Sequence, residues 1–251
     1  MIADLFPGDV AVVTDAELGL DDAALLASLF PVEVEQIGAA VERRRLDFAG
    51  ARACAREAMA RLGVPASPVL RGARGVPVWP PGLVGTLTHT DGLRAAALAR
   101  ADRVRSVGLD VERHAPLADG VLEAVSLPQE AAWVRAARAE APSVAWDALL
   151  FTAKEATYKA WFPLTHRWLG FDDAHITLVP DGDVGDGMRA DDGVDDDGVV
   201  RGSLVSRILV DGRTVDGGPD AVEFRGRWAV RGAHVASAIV LRPAGVASVG
   251  S

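Results

Sequence analysis

Apolar and polar positions along the chain change period several times, and each change marks a new element. The run Val10–Val13 follows a Pro-Gly turn and reads as a short strand. Asp21 and Asp22 lead Ala23–Phe30, an acid-first helix that stops at Pro31. From about Val34 to Leu62 apolar positions recur at helical spacing, with a break predicted near Gly50 and an end at Gly63, before Pro65. Residues 63–86 are punctuated by Pro and Gly and read as loop. Thr86–Gly92 ends a strand in a turn, and Leu93–Ala99 is a strand of small residues. In Ser106–Glu112, Val107, Leu109 and Val111 alternate with Gly108, Asp110 and Glu112, so a strand there carries both carboxylates on one face.

The second part of the chain opens with a helix over 128–141, started by Pro128 and ended by Pro142. Ser143 is placed to cap the next helix, which is predicted to reach Phe162, just before Pro163. Trp146, Leu149, Leu150, Ala153, Ala160 and Trp161 form its apolar face, and the cluster Trp161, Phe162 and Trp168 reads as core packing. Strand patterns follow at His175–Val179, Leu204–Val210, Ala221–Val230 and Val235–Leu241. Both parts end in a turn followed by an alanine-containing strand, Gly92–Ala99 and Gly232–Leu241, a faint sign of duplication.

Charge alters this picture in two places. The formal net charge is −9, but residues 181–198 hold eight Asp and one Arg, so −7 of it is local and about −2 is left for the rest. That segment lacks calcium-loop spacing and reads as a flexible acidic surface insertion. Residues 42–74 hold eight Arg against Glu42, Asp47 and Glu57, a local +5 suited to an acidic or phosphate-rich partner. Within it Arg45, Arg52 and Arg56 lie within roughly 20° of one line on a helix, either a solvated arginine face or a phosphate-binding one. No zinc spacing, aromatic RNA-binding motif or basic recognition helix supports a nucleic-acid partner. No apolar run is long enough for a membrane span, and a cytoplasmic location is expected. The one cysteine, Cys54, lies in an alanine-rich helical run and reads as a buried thiol.

Three features carry chemistry. Only two lysines exist, Lys154 and Lys159, in the stretch Phe151-Thr-Ala-Lys-Glu-Ala-Thr-Tyr-Lys159, which suggests a site that uses a mobile ammonium. Glu155 and Lys159 are four apart and share a helix face; an ordinary solvated ion pair is the alternative. Asp110 and Glu112 on one strand face suit a hard divalent cation such as Mg²⁺, or else form an exposed strand face. His89, at a strand edge between two hydroxyls, is either a phosphate contact or a structural histidine.

Taken together, Val107-Gly-Leu-Asp-Val-Glu112, Phe151–Lys159, Thr86-Leu-Thr-His-Thr-Asp-Gly92 with Gly75-Val-Pro-Val-Trp-Pro80 before it, and the Arg43–Arg56 helix resemble the 4′-phosphopantetheinyl transferases of the Sfp/EntD type. The blocks stand in the family's order and cover most of residues 40–170; Phe151 replaces a frequent Trp, and Thr86 and Thr88 replace common Ser. The resemblance implies an α+β, pseudo-dimeric fold with the active site in the cleft between two similar halves. These would be 1–106 on the coenzyme A nucleotide side and 107–251 with the metal and catalytic residues. It implies transfer of the phosphopantetheine arm of coenzyme A to a serine of an apo acyl or peptidyl carrier protein, releasing 3′,5′-ADP. Asp110, Glu112 and Glu155 would hold Mg²⁺, with Mn²⁺ as a substitute, and Glu155 or a metal-bound water would take the serine proton. Lys159 and Lys154 would bind the phosphates, Arg44, Arg45 and Arg52 with His89 the 3′-phosphate, and Arg71 and Arg74 would flank the nucleotide. Thr88 and Asp110 complete the expected coenzyme A contacts, and a monomer is expected. The rival readings are a Mg²⁺-dependent nucleotide-diphosphate hydrolase and a non-catalytic coenzyme A-binding module; the acidic triad speaks against the latter.

Overall fold

The computed structural model describes residues 1–182 and 198–243; most of the predicted acidic insertion lies outside the described residues. The first half runs β1 (Val10–Thr14), α1 (Asp15–Leu18), α2 (Asp22–Ala27), α3 (Pro31–Ile37) and α4 (Glu42–Arg61), then β2 (Leu70–Arg71), β3 (Pro77–Val78), β4 (Leu83–Thr90) and β5 (Leu93–Arg100). The second runs β6 (Ser106–Arg113), α5 (Val121–Val125), α6 (Pro128–Glu140), α7 (Trp146–Thr165), β7 (Ala174–Pro180), β8 (Val199–Ile208), β9 (Glu223–Arg231) and β10 (His234–Leu241). The strands form antiparallel sheets in the orders β1-β5-β4 and β6-β10-β9-β8-β7, and the pair β2-β3 crosses the predicted loop region.

Each large sheet packs one face on a 20-residue helix. Val13, Ala96 and Leu98 meet Cys54, Ala55, Ala58 and Met59 of α4. Val235 and Ile239 meet Leu149, Leu150, Ala153 and Ala156 of α7. The opposite faces share a third cluster in which Val10, Val12, Ala95, Ala97 and Ala99 pack with Val107, Leu109, Val111, Ala236 and Ala238. Alanine on the strands lets the sheets approach closely, and the shared burial joins the halves into one body.

Several boundaries differ from expectation for physical reasons. The long helical pattern breaks at Gly38–Val41, not at Gly50. Gly50 sits mid-α4, where an added Cβ would run into the Arg94 side chain. Arg94 uses that space to cross α4 and pair with Asp15 at 3.1 Å and Asp47 at 3.0 Å. Ser143 does not cap α7; Ala145 is the N-cap residue, and the Trp146 indole donates to the Ala141 carbonyl at 3.1 Å. Pro163 does not end α7, which continues to Thr165 and stops where His166 turns left-handed, with φ 54°.

The predicted arginine line on α4 is not a solvated face. Arg56 pairs at 3.1 Å with Glu33, whose fully buried carboxylate also accepts the Val69 and Phe30 amides. Arg52 is buried, donates to the Val69 and Phe48 carbonyls and stacks on the Phe48 ring at 3.2 Å. Desolvation lowers its pKa to about 10, which leaves it a cation at neutral pH. These contacts fasten α3 and the 62–69 connection beneath α4, and so fix where β2-β3 leaves the body.

Candidate active site

A cleft of about 490 Å³ is lined by residues from both the earlier and the later part of the chain. α4 lines it with Arg44, Asp47, Phe48 and Arg52, and the β2-β3 segment with Arg71, Arg74 and Val76. β4 contributes Thr86, Thr88 and His89, β6 contributes Asp110 and Glu112, and α7 contributes Phe151, Glu155, Tyr158, Lys159 and Phe162. The predicted strand pair and helical pair therefore meet in one place.

Gly108 makes this meeting possible. A Cβ there would run into the backbone carbonyl of Ala156, so only glycine lets α7 press on β6 at this level. Two residues along the same face, Asp110 is then within reach of α7. Lys159 Nζ donates to Asp110 Oδ1 at 2.7 Å and to the Leu109 carbonyl at 3.0 Å. Asp110 is buried and its Oδ2 has no hydrogen-bond partner. An orphaned carboxylate oxygen is costly to bury and marks a place where a cation or donor fits.

Glu112 and Glu155 stand around Asp110. Burial, then repulsion from Asp110, holds both carboxyls above the usual glutamate range, and Lys159 opposes the shift in each. Among the described residues no three acidic, imidazole or thiolate groups already form a metal cage. Mg²⁺ does not require one, since it commonly takes one or two carboxylates and fills its shell with water and phosphate oxygens. The donor set, an unsatisfied Asp110 oxygen beside two strained glutamates, fits that ion.

The other predicted residues divide. Arg44, Arg71 and Arg74 line the cleft, and among the described residues none of the three has an ion-pair partner. Arg43 is turned to Asp91 and Arg45 lies outside the cleft lining, so Arg44 is the member of Arg43–Arg45 that faces it. His89 lines the cleft and its Nδ1 stands 4.0 Å from Asp47. Lys154 is absent from the cleft. It is buried on the other side of α7, bonded to Glu130 at 2.8 Å and to the Phe171 and Ala174 carbonyls at 2.6 and 2.5 Å. Neighbours on a helix are about 100° apart; Glu155 falls on the side shared with Phe151, Tyr158, Lys159 and Phe162, and Lys154 falls on the side that meets Glu130.

Sequence reasoning missed Asp47, Phe48, Tyr158 and Phe162 in the lining. Asp47, an acid within the arginine run, and Tyr158, the only tyrosine of the chain, were the available signals. Trp168, expected in the core, is 61% exposed; it packs on Tyr158 at 5.1 Å and under Arg74 at 5.9 Å, two residues that line the cleft. Cys54 is buried and desolvation pushes its thiol up to about 12, which rules it out as a nucleophile.

Comparison with known proteins gives a consistent result. The family model for the 4′-phosphopantetheinyl transferase N-terminal domain matches residues 32–99, and that for the 4′-phosphopantetheinyl transferase superfamily matches residues 106–185. The chain is 46% identical over 242 residues to the 4′-phosphopantetheinyl transferase PptT of Mycobacterium tuberculosis, covering 96% of this chain and 98% of that one. It is 48% identical over 209 residues to Npt of Nocardia iowensis (83% and 87%) and 43% identical over 251 residues to Svp of Streptomyces mobaraensis (98% and 92%).

Proposed function

Because this chain belongs to the 4′-phosphopantetheinyl transferases, enzymes that load carrier proteins with the phosphopantetheine arm, we propose a division of labour for its cleft. Coenzyme A is the donor and lies across the cleft, its phosphates toward Arg44, Arg52, His89, Arg71, Arg74 and Lys159. The observation that carries this reading is the convergence of Asp110, Glu112, Glu155 and Lys159 on a cleft whose other wall holds arginines without carboxylate partners.

Asp110, Glu112 and Glu155 would hold Mg²⁺, which would supply charge neutralisation on the diphosphate. Lys159 stabilises the charge that develops as the diphosphate is divided, and its contact with Asp110 keeps the ammonium in place. Glu155, whose proton affinity is raised by burial and by Asp110, accepts the serine proton. The serine oxygen bonds to the phosphorus bearing the pantetheine arm, the diphosphate P–O bond breaks, and 3′,5′-ADP leaves. The order strand, long helix, hairpin appears in each half, which supports a pseudo-dimer of residues 1–106 and 107–251. The partner is an apo acyl or peptidyl carrier protein.

Intact-mass spectrometry of an apo carrier protein incubated with coenzyme A, Mg²⁺ and the enzyme tests the reading. The expected result is a mass gain of one phosphopantetheine group, abolished by EDTA and by Glu155→Gln. Full activity in EDTA would remove the cation, and coenzyme A loss without carrier gain would favour hydrolysis.

A further inference from the structure

β4 and β6 are edge strands of different sheets, yet they run side by side across the boundary between the halves. Side chains make the connection. Thr88 Oγ1 donates to Asp110 Oδ1 at 3.2 Å, and Thr90 Oγ1 donates to Glu112 Oε2 at 3.3 Å. Both pairs are offset by 22 residues, so the strands run in the same direction and two hydroxyls on one face of β4 meet two carboxylates on one face of β6. The Val111 amide donates into Thr88 Oγ1 at 3.3 Å, which points the hydroxyl hydrogen toward Asp110. Thr88 therefore has no donor left for a phosphate.

A hydroxyl is a particular choice for this job. An ionised carboxylate only accepts, so a donor is needed to fix it. At Glu112 a paired lysine or arginine would fix the group but cancel the charge a cation needs; the Thr90 hydroxyl orients it and leaves the charge in place. At Asp110, Lys159 and Thr88 share Oδ1 and leave Oδ2 bare.

We propose that Thr90, with Thr88, is a positioning residue. The two hydroxyls of the first half set the carboxylates of the second, so affinity for the divalent cation depends on both halves. This rests on Asp110 and Glu112 being cation ligands, and the test separates the two claims. Mn²⁺ binding to the full-length protein with coenzyme A and no carrier is followed by electron paramagnetic resonance of the free ion. The expectation is Mn²⁺ binding by the wild type, about tenfold or more weaker binding by Thr90→Val, and near-wild-type binding by Thr90→Ser. A general structural role would lower thermal stability in EDTA without this valine–serine split. Equal affinity in folded Thr90→Val would overturn the positioning role and leave the cation reading standing. No Mn²⁺ binding by the wild type would overturn both. If Thr90→Val does not fold, Thr90→Cys, of similar size and a weak donor, replaces it under the same criterion.

Discussion

Glu155 and Glu112 hold their protons more tightly in the folded protein than a free glutamate does, because burial and Asp110 disfavour their charge. The folded state therefore binds more protons than the unfolded state from about pH 4.5 up to the raised values, and the stability of the metal-free enzyme falls as pH rises through that window. Glu155→Gln removes one such charge. It should abolish transfer yet raise the melting temperature in EDTA at neutral pH, with a flatter fall as pH rises above about 4.5, read by differential scanning fluorimetry. A lower melting temperature with the same pH slope would show that Glu155 is not charge-strained. The sequence made Asp110, Glu112, Glu155 and Lys159 legible because carboxylate pairs at i, i+2 on a strand and an ion pair at i, i+4 on a helix are local patterns. Lys154 was misread because residue type and adjacency do not say which side of a helix meets the cleft.

At the scale of elements, α7 is gripped from two sides. Gly108 admits its backbone against β6, and on the far side Lys154 bonds Glu130 while Glu130 also accepts the Leu127 and Ile176 amides. Gly108→Ala should push α7 off β6, costing about 1–3 kcal/mol in urea unfolding and a larger loss in kcat than in stability, since Glu155 and Lys159 ride on the helix. Lys154→Met should cost about 3–5 kcal/mol by stranding Glu130, and Lys154→Met/Glu130→Met should recover part of it. Coenzyme A affinity of the folded double variant, measured by calorimetry, should match wild type; a loss of tenfold or more would return Lys154 to the phosphate site. The long helices and the main strands were readable from period and punctuation, whereas the short α1 and α5 and the β2-β3 pair were not. The break at Gly38 in place of Gly50 was not, because Gly50 serves Arg94, a residue 44 positions away. Nor was the end at Thr165, since Pro163 continued a helix already held by packing of Trp161 and Leu164.

For the molecule as a whole, β4-β5 and β9-β10 are both hairpins closed by a two-residue turn. Thr90 pairs with Leu93 around Asp91-Gly92, and Arg231 pairs with His234 around Gly232-Ala233. Counted along the strands from those turns, Ala96 holds the position of Ser237 and Thr88 that of Ala229. The partner of Ala96 is Val13, and the partner of Ser237 is Asp110. A symmetric pair of equal halves would present two equivalent centres; this chain puts valine where the second aspartate would stand and alanine where the second threonine would. Each chain should accordingly bind one equivalent of coenzyme A, and a calorimetric stoichiometry near one rather than two is the number to look for.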